Sequence, residues 1–93
     1  VNSLVNAVQK LKNSDWWVVA SDASAKDNYY DVNYKNMNTA IIMGAEHAGV
    51  SKSLLKLSDF IVKIPMLKDF NSLNVSNALS AIIFETVRQK LKN

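Results

Sequence analysis

The residues of this chain whose types and spacing could do chemistry fall between Ala40 and Glu85. Gly44-Ala45-Glu46-His47-Ala48-Gly49 comes first, Ile64-Pro65-Met66 second and Ser72-Leu73-Asn74-Val75-Ser76 third. Gly44 has no Cβ, so the backbone there can approach a ligand closely. Pro65 fixes the turn that leaves its strand. Ile64, Met66 and Leu73 can wall an apolar slot rimmed by backbone hydrogen-bonding groups, the usual make-up of a small-ligand pocket. Glu46 adds a polar side chain to the first of these turns, and Ser72 and Asn74 add two to the third. An apolar strand pattern, Thr39 to Met43, runs into the first block, and a second, Phe60 to Ile64, runs into the next. A long helical pattern follows the third block. Ligands of α/β folds bind at such element ends.

G-x-E-x-x-G alone is a weak signal. The ordered set is stronger, with Ile64 twenty residues after Gly44 and Leu73 nine after Ile64. It resembles the SpoU (TrmH-like) family of the SPOUT superfamily, S-adenosylmethionine-dependent RNA ribose 2'-O-methyltransferases. Met43-Gly44-Ala45-Glu46 and Phe84-Glu85-x-Val87-Arg88-Gln89 are most similar to the enzymes that methylate a 23S rRNA guanosine, with tRNA guanosine methyltransferases as the alternative. The resemblance implies cofactor contacts at Gly44, Ile64, Met66 and Leu73, and catalytic roles for Glu46, Ser72 and Asn74, with Glu46 orienting the site. It implies no metal. It also implies a trefoil knot with the last helix threaded through an earlier loop, which periodicity alone does not give.

The resemblance has departures. Lys68 stands where the family often has glycine, and His47-Ala48 replaces a glycine and a basic residue. Nothing matches the family's first motif, which carries an Asn and an Arg. The chain also opens on Val1. The expectation is therefore that residues 1–93 are the C-terminal part of one catalytic domain, inactive by themselves and holding its cofactor half.

The elements that must position these turns alternate without a linker. Val1, Leu4, Val5, Val8 and Leu11 recur at helical spacing and predict a helix over 1–11. Asn13-Ser14-Asp15 ends it. Trp16-Trp17-Val18-Val19-Ala20 is apolar on both faces, the pattern of a buried parallel strand. Ser21 to Asn38 is polar apart from its tyrosines and reads as a surface loop. Strands are expected at 39–43 and 60–64. Ser51 can cap a short helix ending at Leu57. The final helix is expected over 74–91. The fold class is α/β, a partial SPOUT domain with a parallel sheet flanked by helices.

Along the last helix Val75, Ala78, Leu79, Ile82, Ile83, Val87 and Leu91 make a wide apolar arc, widened by Ala81 and Phe84. One packing face needs only a stripe. The arc is expected to be buried on two sides, either deep in the monomer or in a homodimer through this helix, as the resemblance implies.

Composition excludes several classes. Cysteine is absent, so there is neither a disulfide framework nor a thiolate metal site. No apolar run reaches the length of a membrane span and the first residues do not form a signal peptide, so a cytoplasmic location is expected. The net charge of +3 suits an RNA partner, in rRNA or tRNA processing.

Simpler roles exist for the same residues. The two glycines could make only a tight turn, and Ser72 and Asn74 could be plain helix caps. His47 is read as exposed, not as a general base. Tyr29, Tyr30 and Tyr34 could stack on bases or could anchor their loop. Lys52, Lys56, Arg88, Lys90 and Lys92 could contact phosphate, although basic residues at a helix end also complement its dipole. Besides the methyltransferase, a non-catalytic RNA-binding module and a dinucleotide binder remain, the last without a G-x-G-x-x-G after any strand.

Overall fold

The computed structural model describes residues 3–44, 50–65 and 75–92. Helix α1 (Ser3–Lys12) leads into β1 (Trp16–Ser21), then β2 (Asp27–Asn28), a one-turn 3-10 helix (Tyr29–Asp31), β3 (Asn38–Met43), α2 (Lys52–Leu57), β4 (Phe60–Lys63) and α3 (Val75–Leu91). The strands form one parallel sheet in the order β2-β4-β1-β3. β1 pairs with β3 from Trp16↔Asn38 to Ser21↔Met43 and with β4 from Val19↔Phe60 to Ser21↔Val62. The predicted helices and the three predicted strands are all present, with ends that agree or differ by one residue; the first two residues of the first predicted helix lie outside the described residues.

Strand alternation sorts the apolar residues onto two faces. Val18 and Ala20 of β1 pack with Val8 of α1 and Leu54 of α2, joined by Ala40, Ile42 and Ile61. Val19 and Val62 point the other way, against Ile82 of α3, joined by Ile41, Met43, Phe60 and Ile64. The sheet is a three-layer filling with α1 and α2 on one side and α3 on the other. Val18, Val19, Val62 and Ile82 are wholly buried, each worth about 1.5–3 kcal/mol in transfer from water.

The boundaries have local causes. Asp15 takes a positive φ of 67° and closes α1 just where the polar triplet was expected to, a conformation Asp tolerates better than most residues. Ser51 caps α2 by accepting the Leu54 N–H. Asp59 stands in for a missing rung at the start of the sheet. Its N–H donates to the Val18 carbonyl at 2.8 Å, and its Oδ2 accepts from the Val18 N–H at 2.8 Å. Lys12 Nζ lies 3.6 Å from Asp59 Oδ1 and donates to the Leu57 carbonyl at 2.7 Å, tying α1 to the end of α2.

Two expectations are corrected. Trp16 and Trp17 are exposed, not buried on both faces. They precede Val19, where pairing with β4 starts, so only β3 flanks them, and Trp17 meets Phe60 with ring centroids 6.2 Å apart. The stretch 22–38 is not merely a surface loop. It contributes β2 and buries Val32, Tyr34 and Met37 in the α3-side core. Tyr34 anchors it, with Oη donating to the Tyr29 carbonyl at 2.5 Å. Tyr30 stays exposed, edge-on to Tyr29.

Candidate functional site

Because every strand pair is parallel, the carboxyl ends of all strands lie on one edge of the sheet. Gly44 follows Met43 at the end of β3, and Ile64 follows Lys63 at the end of β4. Met43 and Val62 both pair with Ser21 of β1. Gly44 and Lys63 therefore stand level, one residue beyond that rung, with a single strand between them. Their separation is about 10 Å, two strand spacings. The end of β1 lies in this gap.

The two sides of the gap differ chemically. Ile64 is half-buried and packs into the α3-side core with Met43 and Phe60. Pro65 after it is exposed and offers no N–H. On the β3 side Gly44 presents backbone without a Cβ. Between them Asp22 extends the β1–β4 ladder by donating its N–H to the Val62 carbonyl at 2.9 Å. Ile64 thus brings an apolar side chain, and Gly44 a backbone without a Cβ, to the same edge of the sheet.

The direction of α3 brings a third segment to this edge. Lys90 Nζ donates at 2.7 Å to the carbonyl of Met37, the residue before β3. The C-terminal end of α3 thus sits at the amino edge of the sheet. A 17-residue helix runs about 25 Å, so Val75 begins at the carboxyl edge with Gly44 and Ile64. Of the predicted site residues, Gly44 and Ile64 are brought to one edge. Glu46, Met66, Ser72, Leu73 and Asn74 lie outside the described residues, as does His47.

Sequence reading missed a polar network on the buried side of α3. Glu85 is buried and receives a two-pronged ion pair from Arg88, with Nε to Oε1 at 2.9 Å and Nη2 to Oε2 at 2.8 Å. Gln89 Nε2 donates to Glu85 Oε2 at 2.7 Å and to the Val32 carbonyl at 2.9 Å, while its Oε1 accepts from the Tyr34 N–H at 2.7 Å. The hydrogen bonds from Arg88 hold the Glu85 carboxyl below its usual range, against the effect of burial. Burial pushes the Tyr34 hydroxyl up to about 12, with the Glu85 charge adding to it. The signal was present as Glu85-x-x-Arg88-Gln89, but its partners 55 and 57 residues away could not be read from spacing.

The outer face of α3 is apolar as well. At 100° per residue, Phe84, Val87 and Leu91 cluster opposite Ala78, Ile82 and Glu85. Phe84 is 71% exposed and Leu91 78%, with Ile83 and Val87 beside them. The expected burial on two sides is met on one side only within the described chain. Among the described residues no helix is long and apolar enough to cross a membrane.

Known proteins share this fold. Residues 1–84 match the SpoU rRNA Methylase family. A TrmH family tRNA/rRNA methyltransferase of Staphylococcus saprophyticus is 32% identical over 90 residues, which are 97% of this chain and 36% of that protein. The chain thus spans about a third of the length of the curated relatives it matches. The A. aeolicus TrmH/SpoU tRNA modifying enzyme superposes with a TM-score of 0.86 and 32% identity, over 99% of this chain and 47% of that one. The SpoU methyltransferase AviRb from Streptomyces viridochromogenes, solved with AdoMet, gives a TM-score of 0.83 at 29% identity over 99% of this chain and 37% of that one. With the parallel sheet, its flanking helices and the match over 1–84 in agreement, the chain belongs to the SpoU methylase family.

Proposed function

We propose that this chain is the C-terminal part of the catalytic domain of an S-adenosylmethionine-dependent RNA ribose 2'-O-methyltransferase acting on a 23S rRNA guanosine. The observation that carries the reading is the placement of Gly44 and Ile64 across one strand at the carboxyl edge, in a fold that spans 99% of the chain in its match to an AdoMet-bound relative. The family's description as an rRNA methylase supports the ribosomal substrate. The tRNA modifying activity named for the A. aeolicus enzyme supports tRNA guanosine as the second reading. A non-catalytic RNA-binding module of the same fold is the outcome if no RNA is methylated.

When bound, S-adenosylmethionine supplies an electrophilic methyl group. The chain's part is to hold the donor and exclude water. Ile64, with Met66 and Leu73, walls the adenine, and Gly44 lets backbone reach it. Glu46, Ser72 and Asn74 orient the ribose 2'-hydroxyl for in-line attack and give its proton a path. The exposed stripe of Ile83, Phe84, Val87 and Leu91 supports a homodimer through α3, since a continuous apolar helix face on a folded chain calls for a cover. The trefoil knot and the cytoplasmic location belong to the same reading.

Tritiated-methyl transfer to unmodified rRNA and to tRNA, with the full-length protein and with residues 1–93, tests the proposal. The full-length protein should methylate one of them, and the isolated 93-residue chain neither. Leu73→Asp should abolish cofactor binding by placing an unpaired charge against adenine. Asn74→Ala should lower turnover more than it weakens cofactor binding. Robust turnover by residues 1–93 refutes the assignment of the catalytic apparatus.

A further inference from the structure

A cleft of about 210 Å³ lies at the C-terminal end of α3, lined by Asn33, Lys35, Arg88, Gln89 and Lys92. Every lining residue is polar, three are cationic and none is acidic. Its two walls come from different parts of the chain. Asn33 and Lys35 precede β3, whereas Arg88 and Gln89 lie in the last turn of α3 and Lys92 directly follows it. Gln89 fastens the walls together through Tyr34 N–H and the Val32 carbonyl. Arg88 is held from beneath by the buried Glu85, which engages its Nε and one Nη2 N–H. That leaves three of the five N–H donors a guanidinium carries unused by Glu85.

We propose that this cleft binds backbone phosphate of the RNA, away from the nucleotide that reacts. The proposal rests on the RNA reading above. Dipole compensation at a helix C-terminus accounts for Arg88 and Lys92. It does not account for Lys35, which another segment brings to the same cleft. With the Nε/Nη2 face of Arg88 taken by Glu85, its remaining N–H donors and the two lysines are what the cleft offers a phosphodiester. The lining holds no aromatic or aliphatic anchor, which a protein partner would need. The cleft stands at the amino edge of the sheet. The six residues of β3 put it roughly 20 Å from Gly44. Its contact is therefore to strand flanking the target and carries affinity without base identity.

The test is fluorescence anisotropy of labelled rRNA and tRNA with the full-length protein and its Lys35→Ala/Lys92→Ala variant, across a KCl series. Two lost phosphate contacts should flatten the slope of log K against log salt by about 1.4 and weaken both RNAs alike. The affinity for S-adenosylmethionine, bound at the opposite edge, should hold. An unchanged slope with only a lower melting temperature overturns the proposal, because the lysines then serve the helix end. Displacement of RNA by polyglutamate at matched charge as readily as by unlabelled RNA also overturns it. If the wild-type protein binds RNA and the variant binds it with the same slope, the cleft assignment fails and the methyltransferase reading stands. If the wild-type protein binds no RNA, both fail.

Discussion

Gln89→Leu removes the amide that joins α3 to the segment before β3 while leaving a side chain of similar size. Three hydrogen bonds go with it: from Tyr34 N–H at 2.7 Å, to the Val32 carbonyl at 2.9 Å and to Glu85 Oε2 at 2.7 Å. A hydrogen bond removed so that a buried partner is left unsatisfied costs about 1–3 kcal/mol. Gln89 is half-buried, so water can reach part of what it vacates. Glu85 keeps its ion pair with Arg88. The backbone groups of Val32 and Tyr34 carry most of the loss, and about 2–4 kcal/mol is expected in all. That is a large share of a small domain's stability. The assay is urea unfolding, with m held as a check on the unfolded state. Gln89→Glu sharpens it. The new carboxylate still accepts from Tyr34 N–H but faces Glu85 and a carbonyl oxygen, so the variant should be more damaged at pH 7 than at pH 5, where one carboxyl regains a proton. A cost below about 0.5 kcal/mol for Gln89→Leu, typical of an ordinary surface change, would refute the idea that this amide holds the two segments together. So would a Gln89→Glu variant insensitive to pH.

Other outcomes are expected from the same structure. Ile82→Ala empties a wholly buried site and should cost about 2–5 kcal/mol in unfolding. Phe84→Asp, on the exposed face, should leave monomer stability within about 0.5 kcal/mol and shift light scattering of the full-length protein from dimer to monomer, and an unchanged dimer would remove α3 from the interface. The raised Tyr34 hydroxyl is neutral in the fold up to about 12 while the unfolded chain loses that proton near 10, so stability should fall as pH rises through that window, and Tyr34→Phe should flatten the fall. The lowered Glu85 carboxyl works the other way: its stabilisation is present above the ordinary carboxylate range and is lost as pH falls through the folded value, a loss that Glu85→Gln should not show.

The chain's local patterns determined its three α-helices and three of its four strands. Val18-Val19-Ala20, Ala40-Ile41-Ile42 and Phe60-Ile61-Val62 are apolar at successive positions because a sheet covered on both faces buries both sets of side chains, and that is visible in any window of five residues. Ser51 and Asp15 mark their boundaries through their own backbone and side-chain chemistry. The order of three short motifs, with Gly44 and Ile64 at strand ends, was likewise legible, because strand ends are local events. Tertiary structure decided the rest. Polar residues hid the role of 22–38, since the burial of Val32, Tyr34 and Met37 follows no period and depends on Gln89 more than fifty residues away. Trp16 and Trp17 looked like core, but β4 starts pairing only at Val19 and leaves their flank open. The wide apolar arc of α3 could be read, but not its division into a face against the sheet and a face left outside. Lys35 and Lys92 are unrelated in sequence and share a cleft only because α3 runs back across the sheet to the amino edge.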